Sequence, residues 1–259
     1  MSKTLLYSIL KYSPSIVAGE SINLGVLFCD QEENIREFRS TKRISRVQEF
    51  DDELDIESLK ILLDSIRDDV SVSVENMLDK FNIFEFIRYY TNEFYFTQPI
   101  EIEYDDYENC AEEIMKIYLR FDYSIENRPN RDQQVAFLAR VFKENLVPYK
   151  RNKRVYGSYH APIAYDYFFE GYGIKVFSFS GKNLNKLFTN IKAWAWNCKN
   201  APDDVKTLIF YSYDTEKQAS NPVLMSILDI LNSATDEVYG MEEGIEVLSS
   251  LVSKVGTQL

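Results

Sequence analysis

The sequence has few of the residues that most often carry chemistry. His160 is the only histidine among 259 residues. This excludes a metal site built from several imidazoles and leaves one ring for acid–base work near neutral pH. Cys29, Cys110 and Cys198 are odd in number, far apart and without a C-x-x-C pair. They read as reduced thiols, not as a disulfide framework. No apolar run approaches the ~20 residues of a membrane helix, and the stretch Ile22 to Cys29 is short and interrupted by Asn23. Met1-Ser2-Lys3-Thr4-Leu5 carries no apolar signal core, so a cytoplasmic protein is expected. Nine glycines and seven prolines leave little chain for flexible linkers. A Gly-rich phosphate loop and a G-x-S-x-G elbow are both missing. His160, Asp166 and Cys198 have no spacing that supports a nucleophilic triad.

What is present is an ordinary globular composition, 45% hydrophobic and 27% charged, with 18 tyrosines and 17 phenylalanines for cores or interfaces. The net charge of −12 is distributed in blocks. Residues 1–127 carry 13 Lys and Arg against 27 Asp and Glu; residues 128–199 carry 13 against 4; residues 200–259 carry 3 against 10. The acidic total hides a basic middle, and a basic segment is what a polyanion-binding surface needs. The basic residues also suit an internal partner, the acidic first half.

Residues 5–12 are apolar on both faces and suit a buried strand. Ser13-Pro14-Ser15 breaks it, and Ser21 to Cys29 follows as a second strand, with a third over Ile35 to Arg39. Asn23 and Gly25 inside a good strand mark a close approach of a ligand or backbone, or a bulge. Ile56, Leu59, Leu63, Ile66 and Val70 recur at helical spacing, with Asp55 as N-cap. Phe94 to Phe96 and Ile100 to Glu103 read as short strands around a turn. Tyr107, Ala111, Ile114, Tyr118 and Phe121 mark a second amphipathic helix. The acidic clusters at 49–53 and 101–108 have the composition of a metal site or a nucleic-acid mimic, and such clusters are usually solvated faces and loops.

Tyr7-Ser8-Ile9, Tyr12, Pro14 and the run Glu20-Ser21-Ile22-Asn23-Leu24-Gly25-Val26-Leu27-Phe28 resemble a bacterial family, the domain of unknown function numbered 3037. The resemblance covers about residues 1–125, with Glu20, Asn23 and Gly25 as its motif. It implies a fold more than an activity, and it implies a phage, anti-phage defence or toxin–antitoxin setting.

Polar residues Ser124 to Asp132 place a domain boundary where the charge changes sign, giving domains 1–127 and 128–259. A helix over 131–146 is expected, then strands over Val155 to His160, Ile163 to Phe169 and Ile174 to Ser180, with Gly171-Tyr172-Gly173 as a hairpin turn. A helix over Asn183 to Lys199, a strand over Thr207 to Tyr213, and helices over Pro222 to Asn232 and Glu242 to Lys254 complete the chain. The order helix, three strands, helix, strand resembles the core of the PD-(D/E)XK nuclease-like superfamily over residues 131–213. That resemblance implies metal-assisted phosphodiester hydrolysis with Mg²⁺ or Mn²⁺. Asp166 takes the place of its first acid, Glu144 that of an acid from the first helix, and Lys192 that of a migrated lysine. The third strand departs from the pattern, with Ser178 or Ser180 where the second acid belongs.

The expected fold is therefore α+β, with an N-terminal antiparallel sheet and helices and a small mixed C-terminal sheet flanked by helices. The leading expectation is a non-enzymatic binding or regulatory protein acting through protein contacts, without a cofactor or metal. The alternative is a nucleic-acid-binding or metal-dependent nuclease-like protein, with Lys150, Arg151, Lys153, Arg154, Lys182 and Lys186 on phosphates. Tyr149, Tyr156, Tyr159, Trp194 and Trp196 interleave with these cations, as stacking on single strands would require. Trp194 and Trp196 cannot both face inward on one helix. The apolar positions Ile245, Leu248, Val252 and Val255 make a C-terminal helix face that suggests a homodimer or a protein partner.

Overall fold

A computed structural model describes residues 3–15, 20–71, 81–144, 147–158, 160–214 and 216–256. The chain is α+β and divides into two compact units, Met1–Arg128 and Pro129–Leu259.

The first unit is built on three antiparallel strands, β1 (Lys3–Tyr12), β2 (Ile22–Asp30) and β3 (Ile35–Ser40), with β3 at one edge. Every residue of β2 is buried, which explains its near-continuous apolar sequence. The other edge of β1 is shared by β4 (Phe94–Phe96) and β5 (Ile100–Tyr104). These two strands do not pair with each other across a turn. Both run antiparallel to β1, one after the other. Thr97 bridges the interruption: its N–H donates to Ile9 O at 2.9 Å, and its Oγ1 accepts from Ile9 N–H at 3.0 Å. Pro99 is tolerated there because an edge residue owes no donor to a further strand.

Helices cover both faces of this sheet. On one lie α1 (Ile44–Phe50), α2 (Ile56–Ser71) and α3 (Ile83–Phe86), packed over Leu10, Leu24, Leu27 and Phe38. Asp55 caps α2, accepting from Glu57 N–H at 3.1 Å. The opposite face takes α4 (Tyr107–Tyr118), where Tyr118 meets Tyr7 and Tyr107 meets Phe28 edge-on.

The second unit opens with α5 (Arg131–Glu144). A bent hairpin follows, with β6 (Lys150–Arg151) and β7 (Arg154–Tyr156) on one arm and β8 (Pro162–Ala164) and β9 (Tyr167–Phe169) on the other. The bend lies at Asn152, whose φ is +51°, and Tyr165 N–H donates to Lys153 O at 2.9 Å beside it. The β9 turn into β10 (Tyr172–Ser178) is made by Glu170 and Gly171, both at positive φ. Tyr172 and Gly173, expected in the turn, belong to β10. The strand expected over Val155 to His160 ends at Tyr156.

After β10 come α6 (Leu184–Cys198), β11 (Lys206–Ser212), α7 (Glu216–Ala219), α8 (Pro222–Asn232), β12 (Glu237–Gly240) and α9 (Met241–Gly256). The strand order is β12-β11-β10-β9-β6, parallel from β10 to β12 and antiparallel from β10 to β6. α6 and α8 pack on the face of Phe179 and Ile209. α5 and α9 pack on the sheet's other side, where Gly244 lies so close to the Phe210 ring that a Cβ would sit 2.5 Å from it. Ile245, Leu248 and Val252 of α9 are fully buried in this unit. The helix face that suggested self-association therefore already has an intrachain partner.

Candidate functional site

Asp166 stands at the bend between β8 and β9 and is 7% exposed. Its Oδ1 accepts from Arg131 Nη2 at 2.5 Å, and its Oδ2 accepts from Val176 N–H at 2.8 Å. Lys175 Nζ lies 3.5 Å from Oδ1. One buried carboxylate thus serves two cations. Burial is the main force on Lys175 and lowers its pKa; Asp166 opposes that shift and Arg131 adds to it. An incoming metal ion would have to displace both cations from the carboxylate.

The other members of the nuclease-like set do not gather there. Glu144 ends α5, while Arg131 begins it, about 20 Å apart along the helix axis. The Glu144 side chain lies outside the described residues. Lys192 is exposed on α6, with its ammonium 5.0 Å from the centre of the Phe188 ring. Ser178 is buried, and Ser180 Oγ is buried without a hydrogen-bond partner among the described residues. Among the described residues no group of three or more His, Cys, Asp or Glu is placed so that it could hold a metal ion. Through Arg131, Asp166 ties the start of α5 to the sheet. Sequence reasoning missed Arg131 and Lys175 as its partners.

The basic candidates lie elsewhere in the second unit. Lys150 and Arg151 are exposed on the edge strand β6, Arg154 is exposed on β7, and Lys153 is half-buried at the bend between them. The Arg151 guanidinium sits 5.8 Å from the Tyr167 ring centre. Lys182 precedes α6 and Lys186 lies in its first turn, both exposed. Among the described residues none of these six cations pairs with a carboxylate.

The aromatic candidates separate into core and surface. Tyr149 stacks on Phe142 at 4.9 Å, and Trp194 meets Tyr165 and Phe177 edge-on. Trp196 is 65% exposed and Tyr156 56%. Tyr159 lies outside the described residues, and His160 is exposed at φ +55°.

In the first unit the motif residues build the fold. Glu20 has an exposed side chain, and its carbonyl accepts from Ser13 Oγ at 2.8 Å. Asn23 Nδ2 donates to Tyr118 O at 2.9 Å and so ties β2 to the end of α4. Leu10 and Lys11 pair with Gly25 and Asn23, leaving Leu24 as the extra residue of a bulge. A Cβ on Gly25 would lie 2.5 Å from the Phe38 ring and 2.9 Å from Arg39 O. Beside these residues a groove of about 550 Å³ runs along β3, with Arg67 and Val70 of α2 on one side and Met115 of α4 on the other.

Residues 7–92 match the model of a family described as a protein of unknown function (DUF3037). That stretch holds β1 from Tyr7 onward, β2, β3, the Asn23–Gly25 bulge and α1 to α3. No curated protein and no solved structure matches the chain.

Proposed function

We propose that the chain is a non-enzymatic binding protein whose second unit binds nucleic acid along residues 150–156, the first arm of the bent hairpin. The observation that supports this reading most is the row Lys150, Arg151, Lys153 and Arg154, which meets no described carboxylate. Cations left unpaired on an edge strand lose little when they exchange water and counterions for phosphate oxygens. The environment of Asp166 supports the non-catalytic part, because its charge is already taken by Arg131 and Lys175. The test is a gel shift of DNA and RNA at low salt. Wild-type chain shifts at least one of them, and replacing the four cations with glutamate removes the shift. A wild-type chain that shifts neither refutes the reading.

A second reading, contact with a protein partner, is favoured by the open edge of β3. Thr41 N–H donates to Leu24 O at 2.7 Å, so alternation turns the backbone groups of Phe38 and Ser40 away from β2. Among the described residues these groups have no backbone partner on that side. An edge strand in a groove between two helices is suited to adding a partner's extended strand. The phage, defence or toxin–antitoxin setting belongs to this reading and is implied by the first unit's family alone. Amide exchange tests it: Phe38 and Ser40 exchange quickly in the free chain and slowly with a bound partner.

A further inference from the structure

Tyr156 and Trp196 occupy one corner of the second unit. Tyr156 is paired with Pro162 in the β7–β8 ladder, and Pro162 O accepts from Asn197 Nδ2 at 3.4 Å, one residue past Trp196. A second link closes the corner. Ser158 N–H donates to Asn200 O at 3.0 Å, and Asn200 Nδ2 donates to Trp196 O at 2.9 Å. Val155 turns inward onto the small cluster of Ile163, Tyr165 and Cys198, so Arg154 and Tyr156 face outward together. Lys192 on α6 and Lys199, the residue that caps its C-terminal end, stand one turn to either side of Trp196, both exposed. Among the described residues neither Tyr156 nor Trp196 has an aromatic partner, and Lys199 has no carboxylate partner.

We infer that this corner makes the basic hairpin a binding site for single-stranded nucleic acid in preference to duplex. The inference rests on the nucleic-acid reading above and adds the strand form. Lys150 to Tyr156 spans at most about 20 Å of extended chain, which matches a short single-strand site of about four nucleotides. Cations along the edge track the phosphates, and the two rings at its end offer faces on which bases stack. A duplex keeps its base faces inside the helix and gives these rings nothing to stack on. Base stacking on aromatic side chains is tolerant of sequence, so no base-specific contact is required.

The test is fluorescence anisotropy with a short oligothymidylate and a mixed-sequence duplex of equal length, at low salt. The single strand binds at least about tenfold more tightly than the duplex. Trp196→Ala and Tyr156→Ala each weaken single-strand binding about tenfold, change duplex binding less than twofold and leave the salt dependence intact. Both side chains are largely exposed, and circular dichroism verifies that the variants fold. Equal affinity for the two forms, or a Trp196→Ala chain that holds the single strand as tightly as wild type, overturns the inference and leaves the electrostatic reading standing. Binding of neither form overturns both.

Discussion

Arg131 and Asp166 are joined by a closed ring of hydrogen bonds. Arg131 Nη2 donates to Asp166 Oδ1, Arg131 Nε donates to Val176 O at 3.0 Å, and Val176 N–H donates back to Asp166 Oδ2. The ring locks the first turn of α5 onto β10.

Removing the carboxylate leaves Arg131 facing a partly buried Lys175. Asp166→Ala is therefore expected to cost about 2–4 kcal/mol, less than a fully buried pair because Arg131 is partly exposed. Urea unfolding measures it. Millimolar Mg²⁺ or Mn²⁺ leaves the wild-type melting temperature unchanged; a metal-dependent rise that Asp166→Ala abolishes would restore the metal-site reading.

Gly25→Ala places a methyl group against the Phe38 ring and the Arg39 carbonyl. The ring can yield but the backbone oxygen cannot, so a loss of about 1–3 kcal/mol is expected. A variant as stable as wild type in denaturant would show that the motif glycine is not kept by packing.

The three thiols are buried, and burial pushes Cys29 up to about 11 and Cys198 up to about 12 from the ordinary 9.0. Neutral thiols favour the folded state, so this contribution is full below pH 9 and is lost as pH rises toward 11–12. Ellman's reagent at pH 8 is expected to label none of them quickly in the native chain and all three in guanidinium. Prompt labelling of Cys29 or Cys198 would contradict their burial.

Leu248 lies at the centre of the buried face of α9. Leu248→Ala is expected to cost about 2–5 kcal/mol without changing the oligomeric state. Light scattering beside thermal unfolding checks both; a variant that dissociates a wild-type dimer while keeping its fold would place this face between subunits.

Much of the fold was legible because burial wrote it into local patterns. The apolar β2 and the helical spacing in α2 and α4 are such cases. The pairing of β4 and β5 with β1 was not, because nothing in a three-residue strand names its partner. β12 was missed for a similar reason: Glu237 to Gly240 is short and only half-buried, and its place beside β11 comes from the parallel ladder. Asn23 and Gly25 were legible as a bulge or a tight contact, and they are both. At the site, the basic row was legible as composition, but the bond of Asp166 to Arg131 spans 35 residues and had no local signal. Lys175 carried no local signal either, because its place opposite Asp166 follows from the pairing of β9 with β10.

The salt dependence of single-strand affinity tests the central claim most directly. If the four cations of the hairpin each contact a phosphate, log Kd against log salt has a slope of about 3 in magnitude. Replacing Lys150 and Arg151 with glutamine should then halve it. A slope near zero, or one unchanged by that pair of substitutions, would contradict the claim that this edge holds the nucleic-acid backbone.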